Sequence, residues 1–162
     1  MNKKFLYFSA NYVNKLCLFL SILAILLGGL IYILFRPSKP IFFHWISTAG
    51  MDSWLNFVRH GSLSLSKTLP EWVVFSLPNG LWAFAYAILI TSIWSKSDSW
   101  LKYFWMGSIP LLVFGFEIFQ YVGILPGTFS LQDIAFGCIG LITGILLGIR
   151  ITKPNNYENK SN

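Results

Sequence analysis

The chain has 162 residues, 55% of them hydrophobic and only 11% charged, with a mean hydropathy of +0.61 and a net charge of +6. Soluble domains carry about 25% charged residues, so this is the composition of a membrane protein, and its length fits one compact bundle with no room for a separate soluble domain. The basic residues cluster at the ends of apolar runs and not along one polar face, which excludes a nucleic-acid surface.

Residues 1–15 form a short tail bearing Lys3, Lys4 and Lys15. Leu16 to Phe35 is a 20-residue run without a charge, the length of a spanning helix. No small-residue cleavage site follows it, which separates it from a signal peptide. Arg36, Pro37 and Pro40 end it. An outer segment, 36–77, comes next. Within it Ile41 to Ile46 and Trp54 to Arg59 are too short to span and rich in aromatic residues, as segments lying in lipid headgroups are. A further apolar stretch, Glu71 to Leu77, is set off by the turn-forming Pro78-Asn79-Gly80.

The second span is expected over about 78–94. Leu81 to Trp94 supplies only 14 apolar residues, about 21 Å of helix, and Pro78 suits a first helical turn that lengthens it. The third is expected over about 102–122, kinked at Pro110. The fourth, over about 133–151, is ended by Arg150, Lys153 and Pro154, and 154–162 reads as a polar tail without fixed structure. The expected fold is all-α: an integral membrane four-helix bundle over 16–153, with an aromatic interfacial segment between the first and second spans.

Four spans put both termini on one side. That side carries Lys3, Lys4, Lys15, Lys96, Lys102, Arg150, Lys153 and Lys160, eight basic residues, against four, Arg36, Lys39, Arg59 and Lys67, on the other. The excess marks the cytoplasmic side, with both tails in the cytoplasm and 36–77 outside. Trp94 and Trp100 flank the cytoplasmic turn, as an interfacial aromatic belt would.

Glu117 and Gln120 lie one helical turn apart inside the third span, on the face that also holds Tyr121. An ionisable group in a span costs roughly 2.5–3.5 kcal/mol on insertion scales, which marks Glu117 as a functional candidate. It can accept a proton, bind a cationic group or hydrogen-bond a hydroxylated headgroup, while Gln120 offers donor and acceptor. Equally, Glu117 can pair with Arg59 or Asn79 and hold helices together. The loop Pro126-Gly127-Thr128-Phe129-Ser130 leads to Asp133, and Ser130-Leu131-Gln132-Asp133 has the spacing of a capping box. Asn79 reads first as turn chemistry and second as a wall of the site. The outer segment 41–70, with Phe42, Phe43, Trp45, Trp54 and Phe57, is expected to fold over that site and bring Arg59 or His60 to Glu117. The alternative is that it lies flat in the headgroups.

Gly140, Gly144 and Gly148 recur every four residues with Gly137 before them, a stripe for close helix approach either within the bundle or to a membrane-protein partner. Cys17 and Cys138 lie in apolar spans without ligand spacing, and His44 and His60 form no zinc motif with them. No metal or cofactor is expected, and no phosphate loop or nucleophile elbow is present.

The run from Glu117 to Gly144 resembles the VanZ-like family of small bacterial membrane proteins, named for an accessory protein associated with teicoplanin resistance. Glu117, Gln120, Asp133, Gly140 and Gly144 stand at matching positions, and Leu77 to Trp82 looks like the opening of the preceding span in divergent members. Gly127 stands where the family has Arg, and Gly137 where it has Asn. The resemblance covers the second half of the chain and implies a few spanning helices around a polar motif.

The expected function is a non-enzymatic protein of the bacterial cell envelope, in the cytoplasmic membrane. It would bind a membrane lipid or lipid-linked cell-wall precursor at an outer-leaflet site of Glu117, Gln120, Asp133, Asn79, Arg59 and His60. The alternatives are a membrane-embedded enzyme with Glu117 as its catalytic acid or base, and an accessory subunit of a larger membrane complex.

Overall fold

The computed structural model describes residues 14–36, 41–62, 65, 68–125 and 129–153; both terminal tails, and Gly127 with them, lie outside these. The described residues form helices and no strand. In chain order these are α1 (Lys15–Phe35), the short α2 (Ile41–Thr48), α3 (Asp52–Arg59) and α4 (Glu71–Phe75), then α5 (Leu77–Trp94), α6 (Leu101–Tyr121) and α7 (Leu131–Thr152). α1, α5, α6 and α7 are each long and apolar enough to cross a membrane.

α1 opens on Asn14, whose side chain accepts the Leu16 amide at 2.9 Å, a standard N-cap arrangement. Its buried residues are Cys17, Ser21, Ala24 and Gly28, three or four apart and all small, so one narrow face meets the bundle. Most of its leucines and isoleucines are exposed, an apolar surface suited to lipid.

The break expected at Pro78-Asn79-Gly80 sits instead at Ser76. α5 begins at Leu77 and all three residues are helical. Proline is tolerated there because the first-turn amides have no partner within the helix. Ser76 itself donates its amide to the Trp72 carbonyl at 3.1 Å and accepts the Gly80 amide at 3.1 Å, so α4 and α5 follow with almost no gap. α6 runs through Pro110 as one continuous helix.

Contacts fix the direction of every long helix. Ser21 donates to the Ala85 carbonyl at 2.9 Å and Gly28 lies against Trp82, so α1 and α5 are antiparallel. Tyr86 meets Ser108 at 2.7 Å and Trp94 stacks on Trp105 with centroids 6.1 Å apart, so α5 and α6 are antiparallel too. α5 and α7 run parallel: Gly80 faces Phe136, Gly144 the Phe84 carbonyl, and Gly148 Thr91. Four consecutive spans must alternate in this way. Lys15, Lys96, Lys102, Arg150 and Lys153 therefore gather at one end of the bundle.

The glycine stripe of α7 is used inside the chain. A Cβ on Gly140 would collide with the Gly80 carbonyl, one on Gly144 would come to 2.7 Å from the Phe84 carbonyl, and one on Gly148 to 2.9 Å from Thr91. Of the two roles open to this face in the sequence, α5 takes up the first. Toward the lysine-rich end Ala87, Ile90, Trp94 and Ile109 form the core, with Met106, Leu141 and Ile145 packed against them. Trp94 is thus a core residue, 8% exposed, and not an interfacial one; Trp100 is exposed.

Candidate functional site

α6 ends in a reversal that brings the chain back on itself. Gly123 has φ +76°, a left-handed conformation that glycine adopts without a steric penalty. Its amide returns to the Gln120 carbonyl at 3.1 Å and the Ile124 amide to Phe119 at 2.9 Å, closing the helix in a C-terminal cap. Tyr121 and Phe129 meet edge to face at 5.4 Å, which fixes where Ser130 re-enters. α7 then packs antiparallel to α6, with Gly137 against the Val113 side chain.

This geometry carries Glu117 to the start of α7. Ser130 is the N-cap, its hydroxyl accepting the Asp133 amide at 3.4 Å. In a capping box the acid three residues on would reach back to the N-cap amide. Here the Ser130 amide goes to Glu117 Oε2 at 3.1 Å. Only the hydroxyl half of the expected box forms, because a carboxylate from the neighbouring helix already holds the amide. Asp133 Oδ1 is buried and has no hydrogen-bond partner among the described residues.

Glu117 is 7% exposed. A buried carboxylate needs compensation, and the Ser130 amide at the positive end of α7 supplies part of it. Asp133 stands close enough to repel it. No basic side chain among the described residues comes within ion-pair reach of Glu117.

The other expected members of the site separate into two groups. Gln120 is half-buried one turn beyond Glu117. Asn79 is half-buried in the first turn of α5, next to Gly80, which packs on Phe136 one turn after Asp133. No hydrogen bond joins either side chain to Glu117, so a packing pair of Asn79 and Glu117 does not form.

Arg59 goes elsewhere. It is 3% exposed at the end of α3 and donates from Nη2 to the Arg36 carbonyl at 2.5 Å, at the end of α1. Burial pushes its guanidinium below the ordinary value. Ser62 adds a bond to the Leu34 carbonyl at 2.9 Å, and His60 is exposed beside them. The expectation that Arg59 or His60 compensates Glu117 is therefore corrected: unpaired carbonyls at the end of α1 compete for the guanidinium, and α3 docks there.

From just beyond the outer aromatic cluster, Trp72 of α4 packs on the second turn of α7. Its ring stacks on Phe136 at 5.4 Å and 16°. Trp45 and Phe57, by contrast, are 66% and 83% exposed. In the sequence Trp72 extends the cluster of large aromatics of the outer segment, just before the second span.

Comparison of the chain with family models, with curated proteins and with solved structures finds no match.

Proposed function

We propose that this is a multi-pass protein of the bacterial cytoplasmic membrane, VanZ-like in its second half. In this reading it binds a lipid or a lipid-linked cell-wall precursor at the end of the bundle where α6 meets α7. The observation that carries this reading is the arrangement of Glu117, Ser130 and Asp133. One buried carboxylate is tied to a backbone amide, the other has a buried oxygen without a hydrogen-bond partner among the described residues, and no cation among those residues neutralises Glu117. A hydroxylated or amino headgroup supplies what is missing, a donor or a positive charge.

The lysine excess at the opposite end supports cytoplasmic termini and an outer-leaflet site. The exposed Trp45, Trp54 and Phe57 support α2 and α3 as interfacial helices lying in the headgroups.

A second reading, an enzyme acting on a lipid-linked substrate, draws on the same carboxylates, since a buried acid beside a second one can serve as a general acid or base. Extraction of the intact chain in mild detergent and analysis of its bound lipids separates the readings. A precursor that co-purifies with the native chain and is lost from a folded Glu117→Gln variant supports binding, whereas accumulation of a processed product supports catalysis. Unchanged lipid content together with a lower melting temperature would reduce Glu117 to a packing residue.

A further inference from the structure

At the lysine-rich end α5 and α7 finish side by side, and a recess of about 170 Å³ opens between them, lined by Ser95, Lys96, Ile149, Thr152 and Lys153. It exists because the glycine seam stops there. Gly148 on Thr91 is the last close approach, and one turn later two hydroxyls face each other, Ser95 Oγ and Thr152 Oγ1, 3.3 Å apart. The backbone at this point is already satisfied: the Ser95 amide returns to Thr91 at 2.9 Å and the Lys153 amide to Ile149 at 3.1 Å. Thr152 donates its proton to the Gly148 carbonyl at 2.7 Å, so toward Ser95 it acts as an acceptor.

With the Ser95 proton directed to Thr152, the donors left for a ligand are the exposed ammonium groups of Lys96 and Lys153. Among the described residues, no carboxylate lines the recess. Lys102 stands behind it, donating to the Ser95 carbonyl at 3.2 Å, and Arg150 occupies the last turn of α7. Two helix C-termini contribute roughly half a negative charge each, which these four cations outweigh. The recess favours an anion with several acceptor oxygens.

Its remaining wall is apolar. Ile149 leads to Leu146 and Ile142, all exposed and spaced to share one face of α7. We propose that the recess binds the phosphate of an anionic phospholipid, whose acyl chains lie along Ile142, Leu146 and Ile149. Basic pockets between helix ends at a cytoplasmic surface are recurrent sites for such headgroups.

The inference rests on the chain crossing a bilayer, and not on the acidic site at the other end. The test is native mass spectrometry of the full chain in detergent, titrated with phosphatidylglycerol, phosphatidylcholine or inorganic phosphate. Phosphatidylglycerol is retained and phosphatidylcholine is not. The double variant Lys96→Gln, Lys153→Gln weakens retention roughly 30-fold, the scale of two lysine–lipid attractions, while the Lys→Arg pair restores it. The lysine variants leave Glu117, Ser130 and Asp133 intact, so their loss of retention reports this site and not the acidic one. Equal retention of both lipids, or by the glutamine variant, overturns the proposal. Saturation by inorganic phosphate without lipid retention overturns the lipid assignment in favour of free phosphate. A chain that stays monodisperse without detergent overturns the membrane reading itself.

Discussion

α7 meets two neighbours in opposite ways. Against α5 it presents glycines, and backbone lies on backbone: Gly140 on the Gly80 carbonyl, Gly144 on the Phe84 carbonyl. Against α6 it presents Gly137 to a single valine side chain and, at its start, an amide to a carboxylate. The α5 seam is shape-determined, and the buried oxygen it leaves without a hydrogen-bond partner among the described residues is a neutral hydroxyl, Thr91 Oγ1. The α6 contact leaves a buried oxygen without a partner among the described residues. One helix is anchored on one side and free on the other to carry a site.

The difference is sharpest for the glycines. Gly140→Ala drives a Cβ into the Gly80 carbonyl, which cannot move without moving α5, and is expected to cost about 2–3 kcal/mol. Gly137→Ala meets only a Val113 methyl at 2.7 Å, and the gain in helix propensity of about 1 kcal/mol offsets that contact. Thermal unfolding of both variants in the same detergent checks the contrast; equal losses would mean that the two faces are not distinct.

Next in size is the amide between α6 and α7. Glu117→Leu strands the partly buried Ser130 amide and should cost about 1–3 kcal/mol, whereas Glu117→Gln keeps an acceptor in place and should lose less. A leucine variant as stable as the glutamine one would show that the bond contributes nothing to folding.

The smallest effects separate the two halves of the cap. Ser130→Ala removes the hydroxyl that holds the Asp133 amide and should cost about 1 kcal/mol. Asp133→Asn removes a like charge beside Glu117 and breaks no side-chain hydrogen bond to a described residue, so its stability should change by less than about 0.5 kcal/mol. Denaturant titration resolves the two, and a larger loss for Asp133→Asn than for Ser130→Ala would restore the acid as a cap.

The positions of the four long helices were legible because each depends on local features. A charge-free run, Arg36 with Pro37 after it, Ser130 before an apolar stretch and Lys153 with Pro154 at the end are all read within a few residues of where they act. The second span was the hardest to read, and the reason is instructive. α5 is buried over 56% of its apolar window, against 11% for α6. A helix surrounded by others can be short and built from alanine, threonine and serine, because its neighbours, not lipid, cover it. Trp94 misled for the same reason: position at the end of a span does not say whether a ring faces lipid or Trp105.

From the residues alone came an all-helical chain with four membrane-length helices, a lysine-rich end and a glycine stripe for close helix packing, since run length, proline and charge act locally. Tertiary structure alone decided their partners. The Ser130 amide lies thirteen residues from Glu117 and three from Asp133, and proximity along the chain favours Asp133. The fold reverses that choice, because the Gly123 turn lays α6 against the first turn of α7 and so puts the distant acid at the amide. Arg59 likewise reached α1 and not Glu117, since the end of α1 offered it a carbonyl. A buried donor takes the acceptor that packing brings to it, and packing is a property of faces that meet only once the whole bundle has formed.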